Sequence, residues 1–281
     1  MIFNYTQAGA VGLSLMAVLA WGTSDFLGGY AAREADAFVL TTVAHVSGAL
    51  LMMTLALASA SPFPDEKGIH WALLAGLSGG VALAIFYRAL ASGRMGLTAP
   101  VSAVLGAGIP TALGFLTQGF PGVSPIFGFS LAGLGIWLIS RTEDGQPAEG
   151  IGLAIAAGCG FAGFYICAHE AGNGSAAWLA ATQKFASFGL TGGVVLLRRN
   201  FRQITPRGIL IGVVAGGLDV TGTFLFFRAN QIGRLDQAVV LTSLYPAVTV
   251  TLARIFLREH FTRWKLIGIL AALAAVPLIA S

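Results

Sequence analysis

The chain has 281 residues, of which 56% are hydrophobic and 10% charged, with a net charge of +4 and a mean hydropathy of +0.80. Soluble domains carry about 25% charged residues, so this composition excludes a water-soluble globular protein. The apolar residues fall in blocks of about 20, the helical length that crosses a bilayer core of about 30 Å, which excludes an outer-membrane barrel built from shorter stretches of alternating polarity.

In chain order the blocks predict ten helical spans, near 8–31, 37–60, 71–92, 98–118 and 124–140, then 150–170, 176–197, 208–230, 235–257 and 263–280. The first is preceded by "MIFNYTQAGA", which has no basic n-region, so a cleaved signal is not expected. "SPFPDEKG" breaks spans 2 and 3, "QGFPGVSP" breaks 4 and 5, and "RRNFRQITPRG" breaks 7 and 8. "RTEDGQPAE" at 141–149 is the expected linker between two halves, 1–140 and 150–281. Every connection is short, so no soluble domain fits between spans. Cys159 and Cys167 share the sixth span. Eight residues of helix put them about 12 Å apart, too far for a disulfide. The pI of about 9.4 is not a nucleic-acid signal, because the cations lie at span ends where they reach headgroups.

The second half repeats the first at an offset of 140. Phe86, Arg88, Ala89, Gly93 and Arg94 match Phe226, Arg228, Ala229, Gly233 and Arg234. Gly93 and Gly233 are expected to end their helices in the left-handed conformation. Five spans per half is an odd number, so the halves enter the membrane in opposite directions. The predicted fold is therefore an all-α membrane protein of ten transmembrane helices in two inverted five-helix repeats, with a small-molecule substrate held between them near mid-membrane.

Candidate substrate contacts follow from helical spacing and from the cost of burying polar groups. Trp21 and Asp25 are four apart and share a helix face. Their partners at the repeat offset, Phe161 and Tyr165, share another. Two aromatic residues with a polar tip nearby suit an apolar cavity with a few orienting groups, although ordinary helix packing is the alternative. Asp25, His45, Lys184 and Asp219 are ionisable groups inside spans, where burial is expensive. Call side A the face where the first span starts and side B the other. Asp25 and His45 then lie at one depth near side B, and Lys184 and Asp219 at another nearer side A, counting about 1.5 Å per residue. This register predicts the pairs Asp25–His45 and Lys184–Asp219, which could equally be structural ion pairs. Thr242, Ser243 and Tyr245 precede Pro246, and Ser102 and Pro110 lie in the matching span; a proline frees carbonyls for a ligand or water. Small residues four apart, such as Gly76–Gly80, Gly128–Ala132, Gly152–Ala156–Gly160 and Gly268–Ala272, are expected at close helix crossings.

No phosphate-binding loop occurs, "GGLD" at 216–219 is not the G-x-G-D of an intramembrane aspartyl protease, and His70, His169 and His260 are scattered. No enzyme, cofactor or metal is expected. The partners expected are a small-molecule substrate and the lipid bilayer, with no nucleic acid, and the chain is expected to act as a monomer.

The stretches "AVLAWGTSDF" (17–26), "FYRALASGRMGLTAPVSAVLGAGIP" (86–110) and "FFRANQIGRLDQAVVLTSLYPAVTVTLARIFLREHF" (226–261) resemble the drug/metabolite transporter superfamily, in particular its EamA-type permeases and the YddG-type amino-acid exporters among them. The resemblance implies a basket of ten helices around a central cavity, with the fifth and tenth helices packed together away from the substrate. It also implies a multi-pass protein of the inner or plasma membrane that exports amino acids, aromatic ones included, by alternating access. Sugar-phosphate or lipid-linked metabolite translocation and drug-cation export are the alternatives on the same fold; a membrane-embedded enzyme or scaffold is the alternative outside it. The two halves differ at one point: Arg258-Glu259 follows the ninth span, whereas Gln118-Gly119 follows the fourth, so any role of Glu259 is not symmetric. Lys and Arg crowd side B, which by the positive-inside rule is cytoplasmic; the resemblance implies cytoplasmic termini on side A, and we follow it. An even span count places both termini on one side either way.

Overall fold

A computed structural model describes residues 5–92, 95–118, 123–140, 150–198, 204–232, 238, 241–259 and 262–279. Among them are ten α-helices and no strand: α1 (Tyr5–Ala31), α2 (Ala37–Ala58), α3 (Glu66–Ser92), α4 (Met95–Gln118), α5 (Val123–Ser140), α6 (Ile151–Glu170), α7 (Ala176–Arg198), α8 (Pro206–Ile232), α9 (Tyr245–Phe256) and α10 (Arg263–Ile279). The expected linker at 141–149 and the expected turns at Gly93, Arg94, Gly233 and Arg234 lie outside the described residues.

Several helices start where a side chain can accept from an otherwise unpaired backbone N–H. Asp36 Oδ1 accepts from Phe38 N at 2.8 Å ahead of α2, Asp65 Oδ1 accepts from Gly68 N at 2.8 Å in α3, and Thr205 Oγ1 accepts from Gly208 N at 3.1 Å in α8. α6 starts after Gly150, at φ 84°, a left-handed conformation that glycine adopts without strain. The expected ninth span is helical at Ala238, Leu241 and Thr242, is broken by a turn at Ser243 and Leu244, and is helical again from Tyr245 as α9. Pro246 sits in its first turn, where a missing N–H costs nothing; further inside it would remove a helix hydrogen bond.

Among the described residues five helices are long and apolar enough to cross a membrane: Gly9–Ala31, Ala37–Ala58, Glu66–Ser92, Ile151–Glu170 and Pro206–Ile232. α7 is long enough, at about 35 Å, but Gln183 and Lys184 in its middle lower its hydropathy. The outer faces carry Leu19, Leu57, Phe127, Leu210 and Phe256, each at least 60% exposed. An apolar belt of this extent on a water-soluble protein would aggregate; in a bilayer it meets lipid.

The helices pair across the halves rather than along the chain. α1 packs on α8, α3 on α6 and α7, α2 on α7 and α8, α4 on α6, α1 and α4 on α9, and α5 on α10, whereas the consecutive helices α1 and α2 touch little. Small hydroxyls fasten these crossings by donating to a carbonyl of the facing helix. Ser24 donates to Ala215 at 2.8 Å, Ser78 to Gly160 at 2.7 Å, Ser102 to Ala154 at 2.8 Å, Ser187 to Gly76 at 2.8 Å and Thr249 to Gly22 at 3.1 Å. Such bonds average about 0.6 kcal/mol each in membranes, and all five join one half to the other. The expected small-residue contacts are found at Gly76 and Gly80, which lie against Gln183 and Ser187, and at Gly160 against Ala82; Gly152 faces open space. α5 and α10 pack together through Gly135 and Ala272, apart from the aromatic core around Trp21, Phe86 and Phe226. On side B the Glu259 carboxylate accepts from Met95 N at 3.1 Å and Gly96 N at 3.2 Å and lies 3.6 Å from Arg33, while Arg254 donates to its carbonyl at 2.6 Å.

Candidate functional site

The crossings leave an opening in the middle of the bundle. It has about 480 Å³ of space between its side chains, open solvent at its mouth included. α1 supplies Trp21 and Asp25 to its wall, α3 Gly79 and Leu83, and α6 Phe161, Phe164 and Tyr165. α7 supplies Gln183 and Lys184, α8 Asp219 and Thr223, and α9 Tyr245.

Trp21 organises the aromatic side. Its ring centroid lies 6.4 Å from those of Phe164, Tyr165 and Tyr245 and 5.8 Å from that of Phe226, mostly edge-on. That spacing lets the positive edge of one ring meet the negative face of another. Its indole Nε1 donates to the Asp219 carbonyl at 3.0 Å, which explains how a tryptophan is held at mid-span rather than at the interface. The seat is Gly222: a Cβ there would come within 2.5 Å of the indole.

The polar side is built around Lys184. Its ammonium lies 2.5 Å from Asp219 Oδ2, with side-chain exposures of 4% and 10%. The Lys184–Asp219 pair expected from register is therefore formed, between α7 and α8. Asp25 lines the same cavity, within electrostatic reach of both. The expected Asp25–His45 pair is not formed. His45 Nε2 faces the Gly80 carbonyl at 3.5 Å, its Nδ1 has no hydrogen-bond partner, and His45 does not line the cavity. Register along a helix sets depth but not direction; His45 on α2 faces Gly80 on α3, and α1 touches α2 little.

Of the residues expected at the site, Trp21, Asp25, Phe161, Tyr165, Lys184, Asp219 and Tyr245 are brought together on one wall. Thr242 and Ser243 are not on it. They are buried behind Tyr165, whose hydroxyl they engage, and Thr242 Oγ1 donates to Ala238 at 2.7 Å. Sequence reasoning missed Gln183, Thr223 and Phe164. Thr223 stood in plain view, four residues after Asp219 and hence on its helix face; Gln183 was hidden beside the more conspicuous Lys184. Among the described residues no three His, Cys, Asp or Glu side chains gather as metal ligands would. The arrangement offers shape, aromatic surface and a few fixed polar groups: it can bind and orient a small molecule.

Comparison with known proteins adds three findings. Residues 148–281 match the EamA-like transporter family. An uncharacterized protein of Methanocaldococcus jannaschii is 32% identical over 87 residues, which cover 31% of this chain and 64% of that protein, just under two thirds of its length. A protein of known crystal structure matches with a TM-score of 0.67 over 96% of each chain at 15% identity, a likeness of fold.

Proposed function

We propose, from the premise that residues 148–281 belong to the EamA-like transporter family of the drug/metabolite transporter superfamily, that the whole chain is a multi-pass membrane permease for small organic metabolites. Its substrates are amino acids, aromatic ones included, exported across the inner or plasma membrane as by a YddG-type exporter. Two inverted five-helix halves rock about the central cavity to expose it to each side in turn.

One observation carries this reading. Eight of the twelve residues on the cavity wall occupy positions equivalent under the repeat: Trp21 with Phe161, Asp25 with Tyr165, Gly79 with Asp219, and Leu83 with Thr223, each pair 140 apart. Helix pairing supports the same symmetry, because exchanging the halves turns the α1–α8 contact into α6–α3 and the α2–α8 contact into α7–α3. A pocket on the pseudo-axis of an inverted repeat is where secondary transporters bind substrate. Within each pair the side chains differ, so the lining is polar towards Asp25, Asp219 and Thr223 and apolar opposite. A sugar-phosphate site would need several unmatched cations; Lys184 alone among the lining residues is basic, and Asp219 matches it.

The test is flux. Purified protein in liposomes preloaded with unlabelled amino acids should accumulate radiolabelled amino acid by counterflow, saturably. Absence of counterflow for every amino acid, with flux of phosphorylated sugars instead, would replace this reading.

A further inference from the structure

The hydrogen-bonding capacity of the cavity is lopsided. Trp21 Nε1 and Thr223 Oγ1 both donate to the Asp219 carbonyl, at 3.0 Å each, and the Lys184 ammonium is matched by the Asp219 carboxylate. Gln183 Nε2 donates to Ser187 Oγ at 3.3 Å. Proton counting at Ser187 agrees with that orientation of the amide. The Ser187 hydroxyl has a single proton, which goes to the carbonyl of Gly76 at 2.8 Å or of Gln183 at 3.0 Å. Towards the Gln183 side chain it can therefore only accept, so the NH₂ faces Ser187 and Oε1 points away from it. Oε1 is then a buried acceptor with no hydrogen-bond partner, on a cavity-lining side chain that is 2% exposed. A buried polar atom left unpaired costs about 1–3 kcal/mol, and a ligand that supplies the missing donor recovers it. Asp25, 6% exposed on the same wall, makes no hydrogen bond or ion pair among the described residues. Two acidic side chains thus line the cavity against one basic side chain.

We propose that Gln183 Oε1 and Asp25 form the subsite for a protonated amino group, and that the cavity takes an aromatic-bodied ammonium compound whose carboxylate is dispensable. The inference rests on the cavity being the substrate site and narrows the class it accepts. An ammonium brings N–H donors and a positive charge to two open acceptors. Its apolar body lies along Trp21, Phe161 and Tyr245, whose ring faces attract cations. An anionic end meets two carboxylates and no unmatched cation among the lining residues; to pair with Lys184 it must displace Asp219.

The test is binding, read apart from transport. Thermal unfolding of the purified full-length chain in detergent is followed with phenethylamine, phenylalanine and 3-phenylpropionate. Phenethylamine and phenylalanine should raise the unfolding midpoint saturably, and 3-phenylpropionate should need at least about tenfold higher concentration. Gln183→Leu and Asp25→Asn should each weaken phenethylamine by about tenfold or more, and Gln183→Glu, which keeps an acceptor oxygen, should retain it. The ligand series needs no variant, so a variant that fails to fold does not spare the proposal. Equal or better binding of 3-phenylpropionate, binding of none of the three, or wild-type binding by both weakened variants overturns it. A chain that binds phenethylamine yet moves no solute in liposomes leaves the subsite standing and removes the transport reading. A chain that carries 3-phenylpropionate but not phenethylamine does the reverse.

Discussion

Asp219 has three partners at once: its carboxylate holds Lys184, and its carbonyl takes the Trp21 indole and the Thr223 hydroxyl. Removing one partner of a buried pair strands the other charge, at about 3–5 kcal/mol. Asp219→Asn should therefore lower the thermal unfolding midpoint in detergent markedly, and Lys184→Met added to it should recover most of the loss. An unchanged midpoint for the single variant would mean that the pair is solvated. Gly222 is the second sensitive position. Gly222→Ala crowds the indole, at about 1–3 kcal/mol if the helices cannot part. The ring should shift, seen as altered emission in a variant whose other four tryptophans are replaced; emission identical to the Gly222 parent would show that Trp21 is not seated there. At this scale the sequence was half legible. Buried charge and mid-span aromatic residues are conspicuous in an apolar chain, so Trp21, Asp25, Lys184 and Asp219 stood out. Which of them face one another depends on the rotation of each helix, and that is set by crossings such as Gly76 on α7. Depth therefore found Lys184–Asp219 and misled for Asp25–His45. Thr242 and Ser243 stood out because they precede Pro246, yet they lie behind Tyr165 rather than on the cavity wall.

Among the elements, the ten helices were legible because each is a long apolar run with polar punctuation, and capping residues such as Asp36 and Thr205 mark where the runs begin. The break in the ninth span was not, since a proline permits a smooth kink as readily as an interruption, and only the turn at Ser243–Leu244, between helical Thr242 and α9, shows which occurred. The connection at Glu259 shows what pairing across the halves does at a helix end. Its carboxylate closes two backbone N–H groups at the start of α4 from the far end of α9, a cap borrowed from the other half of the chain. Helix caps contribute about 0.5–2 kcal/mol. Glu259→Gln should speed hydrogen exchange at the amides of Met95 and Gly96 several-fold, measured by mass spectrometry. Exchange as slow as in the parent chain would show that α4 is held by packing alone. The sequence offers no equivalent carboxylate at Gln118-Gly119.

For the whole molecule, the offset of 140 was visible in the sequence chiefly at the paired arginines, whereas its consequence appears in the cavity wall, where equivalent positions meet although their side chains differ. A repeat that preserves backbone crossings while diverging in lining residues leaves little identity to detect. It also leaves a pocket with one polar and one aromatic side, suited to orienting a small solute. The most direct measurement of the central claim is counterflow of a radiolabelled aromatic amino acid into proteoliposomes, comparing the parent chain with Trp21→Ala. The account predicts saturable uptake by the parent and a loss of at least about tenfold in the variant, the scale of one lost aromatic anchor. Equal uptake by both, or none by the parent while its fold is intact, would contradict it.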